Sequence, residues 1–290
     1  MRGLVGAAAL GAALAVALVA APRPDPRPAP PLDRPAPRLD PPPCFSPVDL
    51  DALIAFHEKQ AARDPLDPRP RAQLASAFLE KARETGDAGH YLRAERSARE
   101  ALANDPSPDA PVRAVLARLA LAAHDFPSAI EIAEGLRAAR PRDPEPLAVL
   151  FDAHHALGDA KEAAALADEL VRLGETAGAL ARRAQARLLE GRESEAGRDL
   201  EAALGADDGR SREASASLRV LYGDAQASAG RLAEAGAAYE AALRCLPGYP
   251  AARVRLEAPD PRAVIRAEQA AARAAGVARR PGASPPSASR

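Results

Sequence analysis

Asp152, His154 and His155 are the residues of this 290-residue chain whose types and spacing come nearest to a reactive group. Imidazoles and a carboxylate within four positions are the raw material of a metal site or an acid–base pair. The spacing works against both uses. Helical neighbours project about 100° apart, so His154 and His155 cannot easily face one ion; only Asp152 and His155, at i and i+3, share a face. Two cysteines, Cys44 and Cys245, could form a disulfide in an exported chain. They stand near opposite ends of the sequence, and bridging needs Cα atoms within about 7 Å. The expectation is a small core residue at Cys245 and no internal bridge, with Cys44 free or paired between molecules. No serine sits in a nucleophile elbow, and no glycine loop has Walker spacing. The sequence therefore predicts no catalytic residue, no metal ligand and no cofactor, and a chain that is not an enzyme.

The elements that carry these residues have a period. Ala94, Ala129, Ala163, Ala196 and Ala235 recur at spacings of 35, 34, 33 and 39. Seven residues after each stands a small or aliphatic side chain: Ala101, Leu136, Leu170, Ala203 and Ala242. Five residues before stand Gly89, Gly158, Gly191 and Gly230, with His124 in the remaining place, and Pro106, Pro141 and Pro247 follow twelve residues after. Glycine and proline punctuate helices, and small residues at one register let two helices approach closely. Each period reads as a helix A, a tight turn, a helix B and a turn into the next unit. A period in this range belongs to a solenoid, whose units bury a face only by stacking. The five alanines are the expected packing positions.

This pattern resembles the tetratricopeptide repeat family. Its unit positions match 144–176 through Leu150, Gly158, Ala163, Ala167 and Leu170, and the final unit through Gly223, Gly230, Ala235, Tyr239, Ala242 and Pro247. The stretch from Gly86 to Pro106, with Tyr91, Ala94, Ala98, Ala101 and Leu102, follows a helix A lengthened by about seven residues. Departures are plain: the chain has no tryptophan, the mid-helix glycine is Phe151 or Ala117 in two units, and Arg183 and Arg187 replace apolar residues in the fourth. The resemblance implies an all-α, right-handed superhelical solenoid of about five helix-turn-helix repeats with capping helices at both ends. It also implies that helices A line a concave groove for a peptide or partner helix. By that mapping the groove holds Ala72, Ser76 and Leu79; Ala114, Arg118 and Leu121; Ala148, Asp152 and His155; Ala181, Gln185 and Leu188; and Val220, Asp224 and Ala227. The recognition candidates are Arg118, Leu121, Asp152, His155, Gln185, Leu188 and Asp224. The lysine–asparagine clamp with which some family members hold a carboxylate is absent at these positions.

Composition sets the remaining bounds. The net charge is −1 and aromatics make up 3%. No field draws the chain to nucleic acid, and no basic–aromatic alternation offers stacking. Gly3–Ala21 carries no charge over 19 residues, about 28 Å as a helix and enough for a bilayer's hydrocarbon core. It reads as an uncleaved signal-anchor, or as a signal peptide cut after Ala15-Val16-Ala17; both place the repeats outside the cytoplasm, in a periplasm or cell envelope. Residues 22–43 hold eleven prolines and read as a polyproline II spacer reaching up to about 70 Å.

The expected organisation is then 1–21 leader or anchor, 22–47 proline-rich linker, 48–67 capping helix, 68–257 repeats, 258–280 C-terminal helix and 281–290 disordered tail. The expected function is an exported, envelope-tethered scaffold that binds a partner peptide or helix on the concave face. The alternative is a binding module for exported unfolded polypeptides, as in secretion or cytochrome biogenesis. Its partner is a protein, with the membrane as a second partner if residues 3–21 stay uncleaved.

Overall fold

The structure, a computed structural model, describes residues 37, 39, 48–107 and 111–278. Residues 1–36, most of the linker with Cys44, and the 281–290 tail lie outside the described residues. Among the described residues there are thirteen helices and no strand: α1 Leu50–Arg63, α2 Pro68–Thr85, α3 Ala88–Asn104, α4 Val112–Ala122, α5 Phe126–Ala139, α6 Pro144–Leu157, α7 Ala160–Leu173, α8 Ala177–Leu189, α9 Glu193–Ala206, α10 Arg212–Ser228, α11 Leu232–Cys245, α12 Pro250–Glu257 and α13 Pro261–Ala278. The fold is the all-α solenoid of consecutive helix pairs, α2–α3 through α10–α11. No described helix is long and apolar enough to cross a membrane.

Helix starts follow from short polar side chains. Asp49, Asp67, Asp87, Asp125 and Thr176 each accept a hydrogen bond from a first-turn N–H, satisfying donors that have no intrahelical partner. The turns within pairs share one design. Gly158, Gly191 and Gly230 adopt φ of 77°, 74° and 81°, and His124 does the same at 57°. The next residue then donates back five positions, Asp125 to Ala120, Asp159 to His154, Arg192 to Arg187 and Arg231 to Gln226, at 2.8–2.9 Å. This left-handed closure satisfies the last carbonyls of helix A. The first pair differs. Its left-handed residue is Gly86, φ 71°, whereas Gly89, expected at the turn, lies inside α3 with its N–H on the Asp87 carboxylate at 2.7 Å. The added length also falls differently from the expectation: α2 has 18 residues and α3 17, against 14 in α6 and α7. Both helices of the first pair are lengthened, and the turn moves with them.

The chain forms two compact units. The first holds α1 to α5, the start of α6 and residues 210–213. Its core joins Ile54 of α1 to Ala75 and Phe78 of α2, Ala94, Ala98 and Ala101 of α3, and Val112 and Val115 of α4. The second holds the rest of α6 through α13 together with Leu39. A core there gathers Ala216 and Val220 of α10, Ala235, Tyr239, Ala242 and Cys245 of α11, Ala252 of α12 and Ile265 of α13. Cys245 is thus a buried core residue. Ala94, Ala129, Ala163, Ala196 and Ala235 all lie on the second helix of a pair, and each is 0% exposed. A Cβ-sized side chain there lets the two backbones close together; an added methylene would overpack the seam.

Candidate interaction surface

The polar residues expected in the groove are held by their neighbours. Asp152 of α6 is gripped by Arg182 of α8 through two bonds, Nε–Oδ1 at 2.9 Å and Nη2–Oδ2 at 2.8 Å. Asp224 of α10 meets Arg255 of α12 in the same way, at 2.6 and 2.9 Å, and also accepts from the Tyr239 hydroxyl at 3.0 Å. The two pairs stand 30 and 31 residues apart in sequence, about one period, so each links a helix A to the next helix A. Planar guanidinium forks match carboxylates bidentately. Burial pushes the Asp224 carboxyl up, against the pull of Arg255. Arg255, itself buried, also holds Glu268 of α13 at 2.7 Å, tying the C-terminal helices to the last repeat.

Other candidates are withdrawn by burial. His155 is 6% exposed and stacks on Phe151 at 5.5 Å between ring centroids. Burial pushes its pKa down to about 4, against Asp152, so the ring is neutral at pH 7. His154 turns away to the Asp159 carboxylate at 3.4 Å. The i, i+1 geometry thus sends the two imidazoles to different surroundings. Leu121 and Leu188 are buried side chains. Gln185 is half-buried on α8 and is the polar candidate of that helix left between core and solvent.

Arg118 has a different setting. Its Nε lies 3.5 Å from the Glu145 carboxylate of α6, and it borders a cavity of about 280 Å³ in the first unit. The apolar wall comes from Val48 just before α1 and Leu50 and Leu53 at its start, with Ala77 of α2; Gln73, Ser76, Glu80 and Glu84 of α2, with Arg210 and Ser211, supply polar edges. Ser211 donates to Glu80, and Arg83 holds the Glu213 carboxylate at 2.6 Å. Burial raises the Glu84 carboxyl above its ordinary range, with Arg212 opposing. The site can therefore offer an apolar wall, a guanidinium and two carboxylates. Sequence reasoning placed Ser76 and Arg118 on this face. In the sequence α1 has only the place of a cap, and nothing local to Arg210 and Ser211 marks them as part of this rim.

The fourth pair uses buried charge. Arg183 of α8 grips Asp199 of α9 at 2.9 and 2.7 Å, and Arg187 reaches the same carboxylate at 2.7 Å. Arg183 and Arg187, which depart from the family's apolar pattern, are compensated by one aspartate on the facing helix. Among the described residues no three His, Cys, Asp or Glu side chains converge as a metal set.

Residues 87–145 match the family model described as tetratricopeptide repeat. No curated protein matches the sequence. Among solved structures, a thermophilic TPR protein of Thermus thermophilus is similar in fold at 24% identity and a TM-score of 0.55, over 65% of this chain and 96% of that one. A chain of the Cut9–Hcn1 hetero-tetramer of the APC/C is similar at 14% identity and a TM-score of 0.59, over 77% of this chain and 44% of that one. α3 to the start of α6 thus match the tetratricopeptide repeat (TPR) model in sequence, the same buried-alanine frame runs through all five pairs, and the fold is that of solved TPR structures.

Proposed function

We propose that this chain is a non-enzymatic interaction scaffold that holds a peptide or helix of another protein, exported and tethered to the cell envelope by its N-terminal apolar segment. The observation that carries the binding reading is the cavity beside Arg118. Val48, 48% exposed, offers contact area to an apolar side chain, and the Arg118 fork can reach a carboxylate or peptide carbonyl at the edge. Stacked helix pairs suit such a role because each repeat adds to the surface offered by its neighbour. The export reading is supported by the uncharged run Gly3–Ala21 and the proline-rich stretch behind it. A second reading, capture of unfolded exported polypeptides, draws on Val48, Phe56 and Leu66, large apolar side chains exposed on and beside α1.

Affinity purification of the full chain from crosslinked envelopes separates the two readings. One stoichiometric partner supports the scaffold, and a spread of unfolded clients supports the second. Arg118→Ala should keep the parent melting temperature and weaken the partner about tenfold, or about 1–2 kcal/mol. Undiminished binding by that variant overturns the assignment of the site. A C-terminal alkaline-phosphatase fusion tests export; activity appearing only after residues 1–21 are replaced by a known signal overturns it.

A further inference from the structure

Arg219 of α10 is 0% exposed. A guanidinium keeps its charge in any protein environment and brings five N–H donors that need acceptors. Its Nη1 donates to Asp207 Oδ2 at 2.6 Å and to the Ser215 carbonyl at 2.8 Å. Asp207 is itself fixed, accepting from the Ser215 hydroxyl at 2.8 Å and the Gly209 N–H at 3.1 Å. The acceptor for Nε does not come from the repeats. It is the backbone carbonyl of Leu39, 180 residues earlier, in the proline-rich segment. Pro37 and Leu39 are both half-buried.

These facts fit together physically. A buried donor left without an acceptor is costly, more so on a charged group, so the carbonyl of Leu39 completes the site. Proline-rich chain is well suited to this role. It is extended beforehand, its carbonyls have no internal partners, and little entropy is lost on docking. Covalent connection keeps the segment at high effective concentration.

We propose that Asp207, Ser215 and Arg219 form a clasp for extended backbone, and that its resident ligand is this chain's own segment around Leu39. The clasp is independent of the Arg118 surface. It makes Leu39 a point at which the proline-rich segment is held to the repeats. A partner peptide entering the clasp must displace the segment.

Trypsin offers a direct test. Between residues 22 and 47, Arg23, Arg27 and Arg34 are each followed by proline, and there is no lysine; Arg38–Leu39 is the cleavable bond. In the detergent-solubilised full chain this bond should be cut at least about tenfold more slowly than in a synthetic peptide of residues 22–47. Arg219→Lys keeps a charge for Asp207 but loses the Nε donor; it should bring cleavage close to the peptide rate with helicity unchanged. Should that variant fail to fold, the isosteric Asp207→Asn goes into the same assay, with cleavage expected at least about threefold faster than in the parent. A parent chain cut as fast as the peptide, or a folded variant still protected, overturns the proposal.

Discussion

The pairs α6–α7 and α8–α9 occupy the same repeat frame and fill its seam with different chemistry. Thirteen residues before the register alanine stands Leu150 in one and Arg183 in the other; three residues after it stand Leu166 and Asp199. Leu150 and Leu166 are buried, and the same two places in the next pair become a bidentate ion pair with Arg187 added. Tyr222 and Ala238 take these places in α10–α11, both buried. The frame thus constrains volume and pairing more than polarity. A lone arginine or aspartate at these places would be a buried charge without compensation; the two substitutions are viable together.

The largest effect follows from breaking that compensation. Asp199→Ala leaves Arg183 without its acceptor and Arg187 with weaker ones, and should destabilise the protein by about 3 kcal/mol, the low end for a broken buried pair because both arginines can tilt toward water. Arg183→Leu with Asp199→Leu, which copies the α6–α7 solution, should recover to within about 1 kcal/mol of the parent. Urea denaturation of the three proteins measures both numbers. Equal losses in the single and double variants would show that the two seams are not interchangeable.

The α6 side of the comparison has its own polar intruder. His155 is buried with its Nε2 unpartnered, and its pKa in the fold is about 4 against 6.5 for an ordinary histidine. The unfolded chain binds its proton first as pH falls, so the folded state is stable above pH 6.5 and loses that contribution between 6.5 and 4. The loss attributable to this residue should be about 2 kcal/mol at pH 5. His155→Leu should remove that part of the slope, read as the difference between the two proteins in denaturant midpoint at pH 7 and pH 5. Parallel pH profiles would mean that the ring gains access to water.

What could be read without coordinates was local. The alanine period and the turn residues lie within single pairs, so fold class followed from them. Gly89 was misplaced because the first pair stretches both helices, and Gly86 could equally mark its turn. The groove polar residues were harder, since their partners lie a full period away. Asp152 with Arg182, and Asp224 with Arg255, are opposite charges at matching registers of consecutive units; a search for that pattern would have found both staples. The contribution of α1 and of Arg210 and Ser211 to the Arg118 cavity has no such signal, because it arises from packing between segments far apart in sequence.

A third pair sharpens the volume rule. A Cβ built at Gly223 of α10 would lie 2.4 Å from Tyr239 Cε1 and 2.8 Å from Cδ1, and Tyr239 is buried with its hydroxyl held by Asp224. The corresponding places hold Phe151 with Ala167 in α6–α7, and Ala184 with Leu200 in α8–α9. Small on one helix is matched by large on the other. Gly223→Ala should cost about 1–2 kcal/mol through overpacking, even though alanine favours helix more than glycine. Calorimetry of Gly223→Ala, Tyr239→Leu and the double variant should give a favourable coupling of about 1 kcal/mol or more. Additive losses would place the constraint elsewhere.

The smallest expected effect is a gain, and it sits in the turn that the four later pairs share. His124 takes the place of Gly158, Gly191 and Gly230 and holds φ of 57°, the one positive value among the described non-glycine residues. A side chain in the left-handed region crowds its own carbonyl, costing about 1–2 kcal/mol relative to a conformation glycine adopts freely. His124 recovers part of this through an edge-on contact with Phe126, at 5.8 Å between centroids. Glycine removes the strain but loses the ring contact and gains freedom in the unfolded chain. The balance favours His124→Gly by about 0.5 kcal/mol. His124→Ala separates the terms: it keeps the strain, loses the ring contact and should be less stable than the parent. If the glycine variant melts below the parent, the ring contact and the added freedom of the unfolded chain outweigh the backbone strain, and this turn differs from the other three in kind.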